Sequence, residues 1–121
     1  MTLEKDVLFI IGAPFEDAQY PGKTWFCRDC ATMEGALAVN PGWRDKIDVR
    51  RLPYARPRQP VIELLGAEYQ SMPALVLAEG STPPEDARWA VLGTVERAFI
   101  TDPKAILRYL GNTYGGVGQH P

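Results

Sequence analysis

Residues 6–11 read Asp-Val-Leu-Phe-Ile-Ile, an unbroken, β-prone apolar run behind one acidic residue. A strand with one face in water alternates polar and apolar side chains. A continuous run leaves no face for solvent, and is the signature of a strand buried on both sides in a parallel or mixed sheet. Gly12, Ala13 and Pro14 end the run. The remaining chain must therefore supply further strands beside this one and helices to cover it.

The elements that follow fit that demand. Residues 15–24 form a loop with a Tyr20-Pro21-Gly22 turn. From Cys27 the pattern becomes helical, with Ala31, Met33, Ala36, Leu37 and Ala38 as helix formers or core residues, and Asn40-Pro41-Gly42 stops it. Residues 47–54 alternate and predict a second strand. Pro60 suits the first turn of a second helix, with Val61, Ile62, Leu64 and Leu65 facing inward. Residues 74–78 predict a third strand and residues 89–100 a fourth. Trp43 and Trp89 read as packing residues.

The last helix starts at Thr101 or Asp102 as N-cap, with Pro103 in its first turn and Ala105, Ile106, Leu107, Tyr109 and Leu110 on its apolar face. Gly111 is the expected stop, and residues 112–121 the expected loose tail. The predicted order is β-α-β-α-β-β-α. It describes an α/β fold with a four-stranded mixed sheet flanked by helices, in one domain over residues 1–121.

The composition bounds the function. Hydrophobic residues make up 45% and charged residues 23%, so the chain has the makings of an ordinary globular core. A net charge of -2 and the lack of a long basic run argue against nucleic acid as the main partner. Met1-Thr2-Leu3-Glu4-Lys5-Asp6 is not a positively charged leader, and the apolar run behind it is too short to span a membrane. The expected compartment is the cytoplasm, where a disulfide is catalytic or sensory rather than structural.

The chain has two cysteines, in Cys27-Arg28-Asp29-Cys30, placed where the loop gives way to the first helix. A Cys-x-x-Cys near a βαβ pattern reads as a thiol–disulfide exchange motif. Unpaired N–H groups and the positive end of the helix dipole favour a thiolate on Cys27. Cys30, one turn further in, is placed to attack a mixed disulfide on Cys27. Arg28 helps and Asp29 opposes, so the helix end has to supply most of the activation. Inert thiols are the plain alternative. Metal binding is the third reading, but a structural zinc wants four ligands, and the chain offers two Cys and the single His120 near its end.

Further candidates lie downstream. Pro73 stands just before the third strand, where a residue without an N–H belongs, and a cis Met72-Pro73 bond is expected there. Arg56 and Arg58 flank Pro57 and suit a bidentate grip on a carboxylate; a solvated basic loop is the competing reading. Asp102 suits an amine ligand or a helix N-cap, the N-cap being the commoner role. Tyr20, Trp25 and Phe26 form either an apolar collar around Cys27 or a plug that packs the loop down.

The pairing of Cys27-x-x-Cys30 at a helix start with Met72-Pro73 before a strand resembles the thioredoxin superfamily. Residues 100–110, with Ala105-Ile106 and Tyr109-Leu110, look like the third helix of glutathione-transferase N-terminal domains, and Met72-Pro73-Ala74-Leu75 looks like their Val-Pro-x-Leu. Pro103 stands where those domains carry a glutathione-gripping serine. A wider likeness runs through Phe15-Glu16-Asp17, Tyr20-Pro21-Gly22, Phe26-Cys27-x-x-Cys30-Ala31, Glu34-Gly35, Arg56-Pro57-Arg58 and Gln70-Ser71-Met72-Pro73. It is similar to a family of short bacterial proteins known only as a domain of unknown function with a thioredoxin-like fold. The resemblance implies a thioredoxin-like topology, more distantly glutaredoxin-like. Cys27 and Cys30 are then the reactive pair, the Met72 backbone holds an extended peptide or glutathione, and glutathione is a candidate co-substrate with no resident cofactor. The implied partner is a protein or small-molecule thiol or disulfide. A thioredoxin-like binding module or redox sensor without turnover is the alternative.

Overall fold

The computed structural model describes residues 2–121. Strand β1 (Val7–Ile11) is buried along its whole length, as its unbroken apolar run requires. It pairs in parallel with β2 (Asp48–Leu52) and antiparallel with β3 (Ala74–Val76). Between β1 and β2 lie helix α1 (Arg28–Val39) and a short 3-10 helix, Pro41–Asp45, started by Pro41 and anchored by the buried Trp43. Helix α2 (Gln59–Leu65) joins β2 to β3. Strands β4 (Arg88–Leu92) and β5 (Val95–Ile100) follow, then helix α3 (Pro103–Tyr114).

The sheet has five strands in the order β2-β1-β3-β5-β4, not the expected four. The extra strand comes from residues 89–100, which are two strands rather than one. Leu92 pairs with Val95 across a Gly93-Thr94 turn, and Gly93 takes φ 63, in the left-handed region that suits glycine. Strand β5 pairs with β3, and β4 becomes the edge. Trp89, expected as a packing residue, is 53% exposed on that edge strand.

Alternation along the strands divides the core in two. Leu8 and Ile10 of β1 meet Leu75, Ala98 and Ile100, and are covered by Met33 and Leu37 of α1 and by Ala105, Ile106 and Leu110 of α3. Val7 and Phe9 point the other way, to Val76, Ala90 and Phe99, beneath Val61, Leu64 and Leu65 of α2. Each fully buried Leu, Ile or Phe contributes about 1.5–3 kcal/mol to folding before entropy is counted.

Helix α3 runs past Gly111 and ends at Gly115, whose φ of 77 closes it. The extension has a purpose in packing. Tyr114 Oη donates to the buried Asp6 carboxylate at 2.6 Å, and the same carboxylate accepts the Ala78 N–H at 2.7 Å. Burial, and then the bond to Asp6, push the Tyr114 phenol above its ordinary range. Trp43 Nε1 donates to the Gly115 carbonyl and the Val117 N–H to Asn40 Oδ1, each at 2.8 Å. At Gly116 a Cβ would collide with Asn40 Oδ1, so the close crossing of tail and α1 end requires glycine.

Asp102 caps α3, its carboxylate accepting the Ala105 N–H at 2.9 Å. Asp102→Ala is expected to lower stability by about 1 kcal/mol. A urea midpoint unchanged from the parent protein would contradict that assignment.

Candidate active site around Cys27 and Cys30

Cys27 is the N-cap of α1. Its backbone is extended, and its Sγ accepts the Cys30 N–H at 3.3 Å, the bond that a Ser or Asp side chain makes at other helix starts. The sulfur thus faces unpaired helix N–H groups, and the side chain is half-buried. Cys30 lies within the first turn at 2% exposure. Its Sγ accepts the Ile11 N–H at 3.3 Å, at the end of β1, where pairing with β3 has already stopped at Phe9 and Ala74. Both cysteines are free thiols.

Burial pushes the Cys30 thiol from 9.0 up to about 12; the Ile11 N–H works against that rise and Cys27 adds to it. Two outcomes follow. At neutral pH iodoacetamide is expected to modify the native protein once, at Cys27, with Cys30 reacting only after unfolding. Equal labelling of both thiols, read by mass spectrometry, would contradict the geometry. The second outcome concerns stability. An unfolded thiol ionises near 9.0 while folded Cys30 stays protonated to about 12. Its contribution is therefore complete below pH 9 and is lost as pH rises towards 12. Denaturation midpoints of Cys30→Ala should fall less over that interval than those of the parent.

The approach loop between β1 and Cys27 is stapled rather than loose. Phe15 and Trp25 exchange backbone hydrogen bonds at 3.0 and 2.8 Å. The Tyr20 and Trp25 rings meet edge-on at 5.8 Å, and Lys23 Nζ lies 4.3 Å from the Trp25 ring centroid. Phe15 stacks on Tyr54 at 4.4 Å, and Tyr54 Oη donates to Asp17 at 3.0 Å. Trp25 and Tyr20 are thereby committed to each other within the loop, Tyr20 remaining 61% exposed, whereas Phe26, next to Cys27 in the chain, stays 63% exposed.

Arg58 is buried at 7% exposure, so the solvated-loop reading does not describe it, although Arg56 is exposed. Its guanidinium donates to the Tyr54 carbonyl from Nε at 3.2 Å and from Nη2 at 2.5 Å, and to the Gln70 carbonyl from Nη1 at 2.6 Å. Its backbone N–H donates to Gln70 Oε1 at 2.8 Å. Arg58 therefore ties the chain after β2 to the chain before β3. Tyr54 and Gln70 were not singled out from sequence. Gln70 and Arg58 both fall in the motifs that carry the wider resemblance, but only the contact explains why the two go together.

The Met72-Pro73 bond is cis, as are Ala13-Pro14 and Arg56-Pro57. The β1–β3 ladder ends at the Phe9–Ala74 pair, so the Met72-Pro73 bend enters β3 at the end of the sheet where β1 runs on to Ile10 and Ile11. The Ile11 N–H is the one that holds the Cys30 sulfur. Met72, Cys27, Phe15 and Tyr54 all pack against the cluster that contains Cys30. The structure thus brings Cys27, Cys30, Met72 and Pro73 to one end of the sheet, with Arg58 tied to Tyr54 there. Asp102 is occupied as a helix cap. A cavity of about 730 Å³ lies elsewhere, between the N-terminal segment and β2.

No helix among the described residues is long and apolar enough to cross a membrane. Among those residues, no three His, Cys, Asp or Glu side chains converge to hold a metal ion. No curated protein and no solved structure matches the chain. A family profile described as a protein of unknown function (DUF3088) matches residues 5–118. With nearly its whole length covered, the chain belongs to the DUF3088 family.

Proposed function

We propose that the protein is a thiol–disulfide oxidoreductase with a thioredoxin-like arrangement, Cys27 being the nucleophile and Cys30 the resolving thiol. The observation that carries this reading is the asymmetry of the pair: a half-exposed Cys27 capping a twelve-residue helix, and a buried Cys30 held protonated one turn behind it. Strand order β2-β1-β3-β5, with β3 antiparallel to β1 and helices on both faces, supports the fold half of the proposal.

The Cys27 thiolate attacks one sulfur of a protein or small-molecule disulfide, forming a mixed disulfide and expelling one thiolate. Cys30 then attacks the Cys27 sulfur and expels the second thiolate, which takes up the proton that Cys30 gives up. Two electrons pass from the cysteine pair to the substrate, and the pair ends as Cys27–Cys30 disulfide. Glutathione fits as the thiol that returns the pair to its reduced form. The cis Met72-Pro73 segment, beyond the β3 ladder, is the surface along which an extended substrate would lie.

The test is stoichiometric. Reduced protein mixed with an excess of aromatic disulfide is expected to release two thiols per chain, at a cysteine-pair-dependent rate. Release of one thiol per chain, with a stable adduct on Cys27, would leave a non-catalytic binding role. The exposed Phe26 next to Cys27 favours that second reading, as a docking surface for a partner.

A further inference from the structure

Strands β2 and β4 are the two edges of the sheet. An open edge carries unpaired N–H and C=O groups that pair with any strand offered, and proteins blunt such edges with charge. Strand β2 is blunted in this way. Asp48, Arg50 and Arg51 are charged, in the pairs Arg50–Asp48 and Arg51–Glu34. Strand β4 is not. Its one charged residue, Arg88, lies over the Tyr69 and Phe99 rings, while Trp89 and Val91 are more than half exposed and Leu92 is exposed beside them. The main chain of β4 is open at the same two residues. The Ala98 carbonyl accepts the Leu77 N–H at 2.9 Å, so Ala98 turns its main chain to the β3 side. Trp89 is opposite Ala98 and therefore turns its own N–H and C=O away from β5, as does Val91 two residues on. Among the described residues nothing pairs with them there.

We propose that β4 joins two copies of the chain, pairing antiparallel with its own counterpart about a two-fold axis at Ala90. The outward main-chain groups lie one residue either side of Ala90, so Trp89 of each copy exchanges hydrogen bonds with Val91 of the other. A two-fold contact requires one surface to be complementary to itself. In this register indole meets valine on one face of the joined sheet, and Arg88 meets Leu92 on the other. Charge favours this occupant too. Glu85 and Asp86 lead into β4 and the uncharged Gly93-Thr94 turn leaves it, so antiparallel pairing sets the acidic end of one copy against the neutral end of the other. Strands β3 and β5 stand between this joint and β1, and Cys27 and Cys30 stay open in both copies. A joint of two short strands covers less than the roughly 1,200 Å² at which stable complexes begin, so the dimer is a weak one that forms in the micromolar range.

The test is sedimentation equilibrium of the fully reduced protein, so that no disulfide links two copies, from about 5 to about 500 µM. The mean mass is expected to rise from one chain towards two, and to stop there. Val91→Lys puts two like charges into the joint and is expected to raise the dissociation constant at least about tenfold. Val117→Lys adds the same charge at an exposed apolar residue of the tail, and is expected to leave it within about twofold of the parent. Both variants are first shown to be folded by circular dichroism. The second readout is amide exchange in the parent, followed by NMR at the two ends of the concentration range. Exchange of the Trp89 and Val91 amides is expected to slow severalfold on concentration, because the joint pairs them. This readout decides the matter if Val91→Lys does not fold. A parent that stays one chain throughout would overturn the proposal and leave the edge to an unrelated strand. So would a dimer that Val91→Lys leaves intact, one in which the two amides exchange at the dilute rate, or association that continues past two copies.

Discussion

Cys27→Ser is expected to abolish disulfide exchange, lowering thiol release from an aromatic disulfide by at least ~100-fold, because the thiolate is the nucleophile and a serine hydroxyl at neutral pH is not. Stability should change little, since a Ser oxygen at the N-cap accepts the Cys30 N–H as the sulfur does. Cys30→Ser is expected to behave differently. The first attack survives, the second does not, and the mixed disulfide on Cys27 accumulates as a covalent adduct. Its stability should also drop, because a hydroxyl replaces a 2% exposed thiol packed in the core. Retained exchange in Cys27→Ser would remove Cys27 from the mechanism. A Cys30→Ser protein that turns over at the parental rate would reduce the motif to a single reactive thiol.

Phe99→Ala is expected to have the largest effect on stability, a loss of about 3–5 kcal/mol measured from urea unfolding. Phe99 has no exposed surface and stands on β5 between Val76 and Arg88. Its ring lies 5.0 Å from that of Tyr69, and the Arg88 guanidinium sits over both rings, at 5.4 and 5.0 Å. Truncation opens a cavity beneath α2, where Val61, Leu64 and Leu65 cover the same cluster. Phe26→Ala is the matched control. With Phe26 63% exposed, its truncation should change stability by no more than about 0.5 kcal/mol. A loss below about 1 kcal/mol for Phe99→Ala would mean that this face of the sheet is not the packed layer described above.

What could be read from the chain is what local chemistry determines. The apolar run of residues 7–11 has no polar face, so β1 had to be central. Cys27 and Asp102 precede helical patterns and cap them in the structure. Pro73 lacks an N–H and sits just ahead of β3, as expected. The errors arose where distant contacts decide. Residues 89–100 read as one strand because Trp89, Val91, Leu92 and Val95 are all β-prone, and nothing local says that they lie on an edge with much of their surface in water. The signal available was Gly93-Thr94, a two-residue turn with glycine first. Gly111 read as a helix stop, but Tyr114, 108 residues from Asp6, holds the helix together beyond it. Arg58 looked like one of two surface arginines. Its burial depends on two carbonyls, at Tyr54 and Gln70, that only the folded chain presents together.

The central claim is that Cys27 and Cys30 act as one redox couple. The most direct measurement equilibrates the protein across a series of reduced and oxidised glutathione ratios and weighs the intact chain at each. The expected result is a single two-electron transition from free dithiol to a form lighter by two hydrogens, with glutathione adducts confined to a minor intermediate on Cys27. A pair that stays as two free thiols throughout, or that ends as a stable glutathione adduct without ever forming the internal disulfide, would contradict it.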